Sequence, residues 1–263
     1  MSEPTIEIEH RGAVAWIWMN RPALHNALNE ELIAELTAAL RALGSEQATR
    51  VIILTGRGKS FSAGADVDSM KRQGAAPFEE NLANARQLAE MFRSIASSSK
   101  PTIARVNGAA IGGGLGLVST CDIAIASNGA VFAASEVRLG LIPATIGPYV
   151  VRAIGGRWAR RLFQTGERIT AAQAEKIGLI HESVENDGLD ARVDSVTKDL
   201  LAGAPMAQEA AKELVDAVAG RAVTAKLIED TAVRIATIRT EPEAREGLSA
   251  FLEKRSASWV PQR

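Results

Sequence analysis

The feature that most constrains the fold is an alternation, through the first half of the chain, of short β-branched runs with helical patterns. Segments rich in Val, Ile and Thr that are separated by amphipathic stretches are typical of α/β folds. We therefore predict an α/β fold, with strands at residues 6–9, 13–19, 51–55, 102–106 and 123–126.

Helical spacing is clearest between Asn29 and Leu43, where leucines recur every three or four residues and Asn29 or Asn26 is placed to cap the start. Residues 78–95 repeat the pattern, and residues 56–70 before them are predicted to be a loop. From about Ala144 no further strand is predicted. Helical patterns follow at 148–154, 157–164, 171–177, 189–201, 205–218, 222–238 and 241–254, and the last of these are expected to wrap the core or a neighbouring subunit.

Length and charge exclude several classes of protein. A chain of 263 residues fits one large domain or a core with an appendage. The 30 Lys and Arg against 31 Asp and Glu predict neither a nucleic-acid nor a membrane partner. Cys121 is the only cysteine, and the N-terminal sequence is neither basic nor apolar, so we expect a cytoplasmic protein without disulfides.

Motifs for several common chemistries are incomplete. The run Gly56-Arg57-Gly58-Lys59-Ser60 lacks the first glycine of a phosphate loop, and residues 112–114 lack the spacing of a dinucleotide fingerprint. The three histidines are scattered, and no G-x-S-x-G sequence occurs. We therefore expect no bound nucleotide cofactor, no metal site and no serine-hydrolase triad.

Two loops of small residues remain, at residues 62–66 (SAGAD) and 112–114 (GGG). Taken alone, residues 62–66 are better explained as a turn, and residues 112–114 are better explained as glycines that permit close helix packing. Together they could present two backbone N–H groups to one carbonyl oxygen, because small side chains leave the backbone accessible. The pair is therefore a candidate oxyanion hole.

Several segments in series resemble the enoyl-CoA hydratase/isomerase, or crotonase, family. They are NRP at 20–22, NAL at 26–28, FSAGAD at 61–66, NGAA at 107–110, GGG at 112–114, CDI at 121–123, SEVRLGLIP at 135–143, EGL at 246–248 and AFLEKR at 250–255. The resemblance covers nearly the whole chain and implies a crotonase-like spiral of ββα units. It also implies coenzyme A thioester substrates, no permanently bound cofactor, and a C-terminal helical region that builds homotrimers or homohexamers. We accordingly divide the chain into a core with the acyl-CoA site at 1–200 and an oligomerisation region at 201–263.

The resemblance also assigns site residues. It places the two oxyanion-hole N–H groups on Ala65 and Gly113, and a catalytic carboxylate on Glu136. The first of the two acidic positions used by familiar hydratases falls on Gly116, so that carboxylate is missing. Asp68 stands where many relatives have lysine. The positions assigned to coenzyme A binding are Ala23, Leu24, Ala63, Ala65, Asp66, Val67, Asp68, Gly113, Phe251 and Lys254.

Three functions stay open at this point. The first is hydration of a 2-enoyl-CoA, and the segment 143–151 resembles members that act on branched methylglutaconyl-type substrates. The second is an enoyl-CoA delta-isomerase in which Glu136 moves a proton between C2 and C4. A non-catalytic acyl-CoA-binding protein is the third. An ordered water molecule in the cavity near Gly116 would make hydration possible, whereas apolar side chains filling that space would favour the isomerase reaction.

Overall fold

The computed structural model describes residues 4–261. The chain divides into two compact units, Met1–Ser195 and Val196–Arg263. The first unit contains every strand of the described residues. These strands are β1 Ile6–Arg11, β2 Val14–Met19, β3 Val51–Gly56, β4 Ser60–Ser62, β5 Thr102–Val106, β6 Ala109–Ile111, β7 Ile123–Ser127, β8 Val131–Ala133, β9 Ile169–Thr170 and β10 Glu182–Val184.

The helices form most of the remainder. They are α1 Glu30–Ser45, α2 Val67–Ala75, α3 Phe78–Ala96, α4 Gly113–Thr120, α5 Gly147–Thr165, α6 Ala171–Lys176, α7 Leu189–Ala202, α8 Pro205–Val218, α9 Ala225–Thr240 and α10 Pro242–Leu252. Short 3-10 helices lie at Pro22–Leu24, Glu136–Leu139 and Asn186–Gly188.

Two sheets organise the first unit. The larger has the strand order β1-β2-β3-β5-β7-β10, in which β1 and β2 are antiparallel and the other neighbours are parallel. The smaller has the order β4-β6-β8-β9, with β9 antiparallel to β8. The pairs β3/β4, β5/β6 and β7/β8 each place one strand in the large sheet and the next in the small one before a helix follows. This repetition confirms the predicted spiral of ββα units.

The five predicted strands are all present, and Asn29 caps α1 by accepting a hydrogen bond from the Leu32 N–H at 2.9 Å. Residues 56–70 were wrongly predicted as a loop throughout, because β4 and the start of α2 lie within them. The prediction of no strand after Ala144 was also wrong, since β10 pairs with β7. Strands of three residues carry too little periodicity to be recognised, and pairing with a neighbour stabilises them.

The core lies between the sheets and the helices packed on them. Large side chains that are fully buried include Phe61 of β4 and Phe92 of α3, together with the leucine face of α1. The helices predicted at 148–154 and 157–164 are both present within α5, and a kink at Gly155, whose φ of 71° is outside the helical region, separates them.

The second unit is helical. Its helices α8 and α9 contain no buried residue among those that the structure describes, and apolar side chains such as Val215 and Ile228 are more than half exposed. Within residues 4–261 we find no helix that is long and apolar enough to cross a membrane.

Candidate active site

The direction of the Ala65 N–H is set by an isolated backbone bridge between Leu28 and Ala65. Leu28 and Ala65 form a parallel bridge, in which Leu28 donates its N–H to the Gly64 carbonyl at 2.7 Å and accepts from the Asp66 N–H at 3.0 Å. Successive N–H groups in an extended segment point to opposite sides. The Ala65 N–H therefore points away from Leu28, and it has no hydrogen-bond acceptor within residues 4–261.

The Gly113 N–H is available for a different reason. Gly113 is the first residue of α4, where a backbone N–H has no partner inside the helix. No other acceptor for it exists in the part of the chain that the structure describes. A Cβ added at Gly64 would lie 3.6 Å from the Gly113 nitrogen, so the two small-residue loops are in contact. A helix N-terminus also favours nearby negative charge.

Gly112 has a backbone conformation that favours glycine, and it lies close to the Glu136 side chain. Its φ of 51° is in the left-handed region, and a Cβ there would stand 3.2 Å from Glu136 Oε1. The Gly112 N–H donates to the Ala133 carbonyl at 2.8 Å, which ties the start of α4 to the end of β8. Glu136 follows closely after that strand, so its carboxylate is held against the glycine loop.

Glu136 has an unusual environment for a carboxylate. Its Oε2 atom is inaccessible to solvent and has no hydrogen-bond partner among the described residues. Burial raises the pKa of Glu136, and a hydrogen bond from its own backbone N–H offsets the rise only in part. Burying a carboxyl oxygen without a hydrogen-bond partner costs free energy, and carboxyl groups in such environments cluster at functional sites. Glu136 is therefore suited to exchange protons with a bound molecule.

A cavity of about 410 Å³ brings these groups together, because Ala65, Gly113 and Glu136 all line it. One face of α3 forms a wall, through Asn81, Asn84, Ala85 and Leu88 at helical spacing. Apolar residues from the segment after Glu136, including Leu139 and Ile142, also line it. The described part of the chain contains no group of three or more His, Cys, Asp or Glu side chains able to hold a metal ion.

The surroundings of Gly116 are apolar and full. A Cβ added there would stand 2.3 Å from Ile146 Cγ2 and 2.8 Å from Phe92 Cζ. Both of these side chains are buried. A glutamate side chain therefore has no room at Gly116, the position to which the family resemblance assigns the missing first carboxylate.

We expect Gly116→Ala to lower the free energy of unfolding by roughly 1–3 kcal/mol, because its methyl group overpacks the contact with Ile146 and Phe92. Gly44→Ala is the matched control, since Gly44 lies in α1 with no atom within 4 Å of an added Cβ. The control is expected to be neutral or stabilising by up to about 1 kcal/mol. Urea denaturation measures both changes, and equal stabilities for the two variants would show that the space beside Gly116 adapts.

Of the positions assigned to coenzyme A, Ala63, Ala65 and Gly113 line the cavity, and the others do not. Ala23 and Leu24 lie in an exposed 3-10 helix. Val67 and Asp68 begin α2, and Asp68 pairs with Lys71 at 3.0 Å. In the second unit, Phe251 is 79% exposed and Lys254 follows α10.

Asp66 has structural partners. One of its oxygen atoms accepts hydrogen bonds from the N–H groups of Asp68 and Ser69 at the start of α2, and the other pairs with Arg21 at 2.9 Å. Its predicted role in coenzyme A binding stays untested. Sequence reasoning missed Arg21 and Leu28 as parts of the site, although both belong to the NRP and NAL motifs, because their contribution depends on contacts with residues 64–66.

Comparisons with known proteins agree with this architecture. The family model described as enoyl-CoA hydratase/isomerase matches residues 9–262. A crotonyl-CoA hydratase from Syntrophomonas wolfei is 34% identical over 99% of both chains. The 2,3-dehydroadipyl-CoA hydratase of Escherichia coli is 32% identical over 97% of this chain and 98% of the relative.

Among solved structures, an enoyl-CoA hydratase from Shewanella pealeana superposes with a TM-score of 0.94 and 41% identity, covering 97% of this chain and 96% of the other. Relatives named as enoyl-CoA hydratases thus match the chain over almost its entire length, in both sequence and structure. The protein therefore belongs to the enoyl-CoA hydratase/isomerase family and is an enzyme with the crotonase fold.

Proposed function

We propose that the protein adds water across the C2–C3 double bond of a 2-enoyl-CoA, or removes water from the 3-hydroxyacyl-CoA. The observation that carries this proposal is the unpartnered carboxylate oxygen of Glu136 in the same cavity as the free N–H groups of Ala65 and Gly113. The names of the relatives and the family both support enoyl-CoA hydratase activity.

In the proposed mechanism, the thioester oxygen accepts hydrogen bonds from the Ala65 and Gly113 N–H groups. Glu136 takes a proton from water as the water oxygen bonds to C3, and the π electrons move toward the thioester oxygen. The two N–H groups stabilise the resulting enolate. Glu136 then returns a proton to C2, and a single carboxyl group serves both transfers if they occur on one face of the substrate.

Enoyl-CoA delta-isomerisation is the second candidate, and the packing around Gly116 favours it. Phe92 and Ile146 fill the space beside Gly116, the position to which the family resemblance assigns the missing first carboxylate. In this reaction Glu136 would take a proton from C2 of a 3-enoyl-CoA and return it to C4, while the same two N–H groups stabilise the dienolate. The third interpretation, a non-catalytic acyl-CoA-binding protein, is opposed by the retained Glu136 and both glycine-containing loops.

The acyl group is a finer part of the proposal. Segment 143–151 supports a branched methylglutaconyl-type substrate, whereas the two relatives described above are named for crotonyl-CoA and 2,3-dehydroadipyl-CoA. Coenzyme A is proposed to enter only as part of the substrate. The contacts of Phe251 and Lys254 with its nucleotide end, and a cytoplasmic location, are likewise proposals from the sequence.

Turnover in ¹⁸O-labelled water tests the two reactions. Crotonyl-CoA, 3-methylglutaconyl-CoA and 3-hexenoyl-CoA are incubated separately with the enzyme, and the products are identified by mass spectrometry. Hydration predicts a 3-hydroxyacyl product that carries ¹⁸O. Conversion of 3-hexenoyl-CoA to the 2-enoyl ester, with no labelled product from any substrate, would establish the isomerase instead.

The exposed apolar residues of the second unit support a proposed homotrimer or homohexamer. Leu214, Val215 and Leu248 are between 36% and 59% exposed. Burying such side chains between subunits is the expected role of these helices. We expect light scattering at micromolar concentration to give the mass of three or six chains, and a monomeric mass would contradict the assembly.

A further inference from the structure

A largely buried arginine lies across the backbone bridge that orients the Ala65 N–H. Arg21 Nη1 donates a hydrogen bond to the Ala27 carbonyl, and Nη2 donates to Asp66 Oδ2 at 2.9 Å. The Arg21 and Asp66 side chains are only 15% and 11% exposed. Ala27 immediately precedes Leu28, and Asp66 immediately follows Ala65. Arg21 therefore connects both partners of the bridge from one side.

The carboxylate end of this connection is also fixed. Asp66 Oδ1 accepts from the N–H groups of Asp68 and Ser69 at 3.0 and 3.2 Å. Burial raises the pKa of Asp66, but hydrogen bonds from Ser69 and Arg21 outweigh it and hold the pKa below its ordinary value. The carboxylate is consequently ionised at neutral pH, and it joins Arg21 to the start of α2.

The arginine end is fixed by Asn26. This residue is fully buried, and its Oδ1 accepts the Arg21 backbone N–H at 2.9 Å. Its Nδ2 group donates to the carbonyls of Arg57 and Ser60 at 2.9 and 2.8 Å. Neither end of the Arg21–Asp66 contact can shift without breaking hydrogen bonds inside the protein.

We propose that Arg21 is a positioning residue that fixes the direction of the Ala65 N–H by holding Ala27 and Asp66 on either side of the Leu28–Ala65 bridge. This inference rests on the proposed role of that N–H in binding the thioester oxygen. Hydrogen-bond donors stabilise an oxyanion only when they are held in place before the reaction. Two separate N–H groups of one planar guanidinium make both contacts, which the single ammonium of lysine cannot reproduce.

Arg21→Lys tests this role, with Arg57→Lys as the matched control. Arg57 also pairs with a carboxylate, Glu7, at 2.5 Å, but it does not contact the bridge with its side chain. We expect Arg21→Lys to lower kcat on the order of 10- to 100-fold with little change in KM, since displacing one donor weakens binding of the transition state more than that of the substrate. Arg57→Lys should keep kcat near that of the wild type.

The infrared stretch of a ¹³C-labelled carbonyl in bound butyryl-CoA gives a readout that a general loss of stability would not move. Hydrogen bonds to the thioester oxygen lower this frequency on binding. We expect the wild type and Arg57→Lys to show the full decrease and Arg21→Lys a smaller one. A wild type without any decrease would contradict the oxyanion hole itself. A full decrease and normal kcat in Arg21→Lys would overturn only the role of Arg21.

Asp66→Asn provides a second variant in case Arg21→Lys does not fold. The asparagine carbonyl oxygen still accepts from the Asp68 and Ser69 N–H groups, so the start of α2 is retained. The charge that attracts Arg21 is lost. We expect a smaller carbonyl shift and a lower kcat in this variant, and wild-type values for both would overturn the role of Arg21.

Discussion

Replacing Glu136 by Gln is expected to lower kcat by at least about 100-fold while the protein still folds and binds butyryl-CoA. Glutamine has nearly the same shape as glutamate but cannot accept and return the proton that hydration or isomerisation requires. The Glu136 side chain forms no hydrogen bond to other described side chains, so the substitution breaks no contact of that kind.

Steady-state kinetics, circular dichroism and calorimetric titration with butyryl-CoA test this expectation. Glu185→Gln is the control, because Glu185 is exposed and its carboxylate contacts only the Asn128 side chain among the hydrogen bonds found. The control should retain normal turnover. Undiminished turnover in Glu136→Gln would remove Glu136 from the mechanism of both candidate reactions.

The pKa of Glu136 also predicts how stability depends on pH. Burial raises this pKa above the ordinary value of 4.5, so the folded protein binds this proton more tightly than the unfolded chain does. Stability from this group is then fully present below pH 4.5 and is lost as pH rises through the folded-state pKa.

Glu136→Gln should consequently have a higher Tm than the wild type at pH 7–8, because glutamine places no ionised group in this buried position. The difference should disappear in acid, where both side chains are neutral. The acid limb of kcat/KM should also lie above pH 4.5. Thermal melts across this pH range measure the effect, and a Tm difference that does not change with pH would contradict the raised pKa.

Gly113→Pro is the second substitution with a large expected effect. Proline removes the N–H of residue 113, and proline is well tolerated at the first position of a helix. Loss of one oxyanion-hole donor is expected to cost about 3 kcal/mol of transition-state stabilisation, which corresponds to roughly 100-fold in kcat.

Gly113→Ala separates the N–H from the steric effect. A Cβ at residue 113 would stand 2.7 Å from Leu28 Cδ1, and both variants introduce it. Only the proline variant loses the donor. We expect the proline variant to be slower than the alanine variant by on the order of 100-fold, and equal rates in the two folded variants would show that this N–H does not bind the substrate oxygen.

The sequence alone determined the fold class and the identity of the residues in the two small-residue loops. Strands such as β3 and β5 are β-branched and buried, and the leucine periodicity of α1 is sustained over several turns, so local pattern and tertiary environment agree. The motif series from NRP to AFLEKR, read in chain order, is sufficient to identify the correct family.

The small sheet was decided by tertiary structure. Strands β4, β6 and β8 have three residues each, which is too short for a period of two to stand out from chance. Their extended conformation depends on hydrogen bonds to neighbours about 20 to 50 residues away in the chain. No local pattern encodes such pairing.

The side chains that surround and support the candidate site were likewise decided by tertiary packing. The sequence showed that Gly116 lacks a carboxylate, but only the packed structure placed Ile146 and Phe92 in the space beside it. In the same way, Arg21 became part of the site through its contacts with Ala27 and Asp66. Residue identity is local, whereas the direction of an N–H, the burial of a carboxylate and the filling of a cavity depend on side chains that only folding brings together.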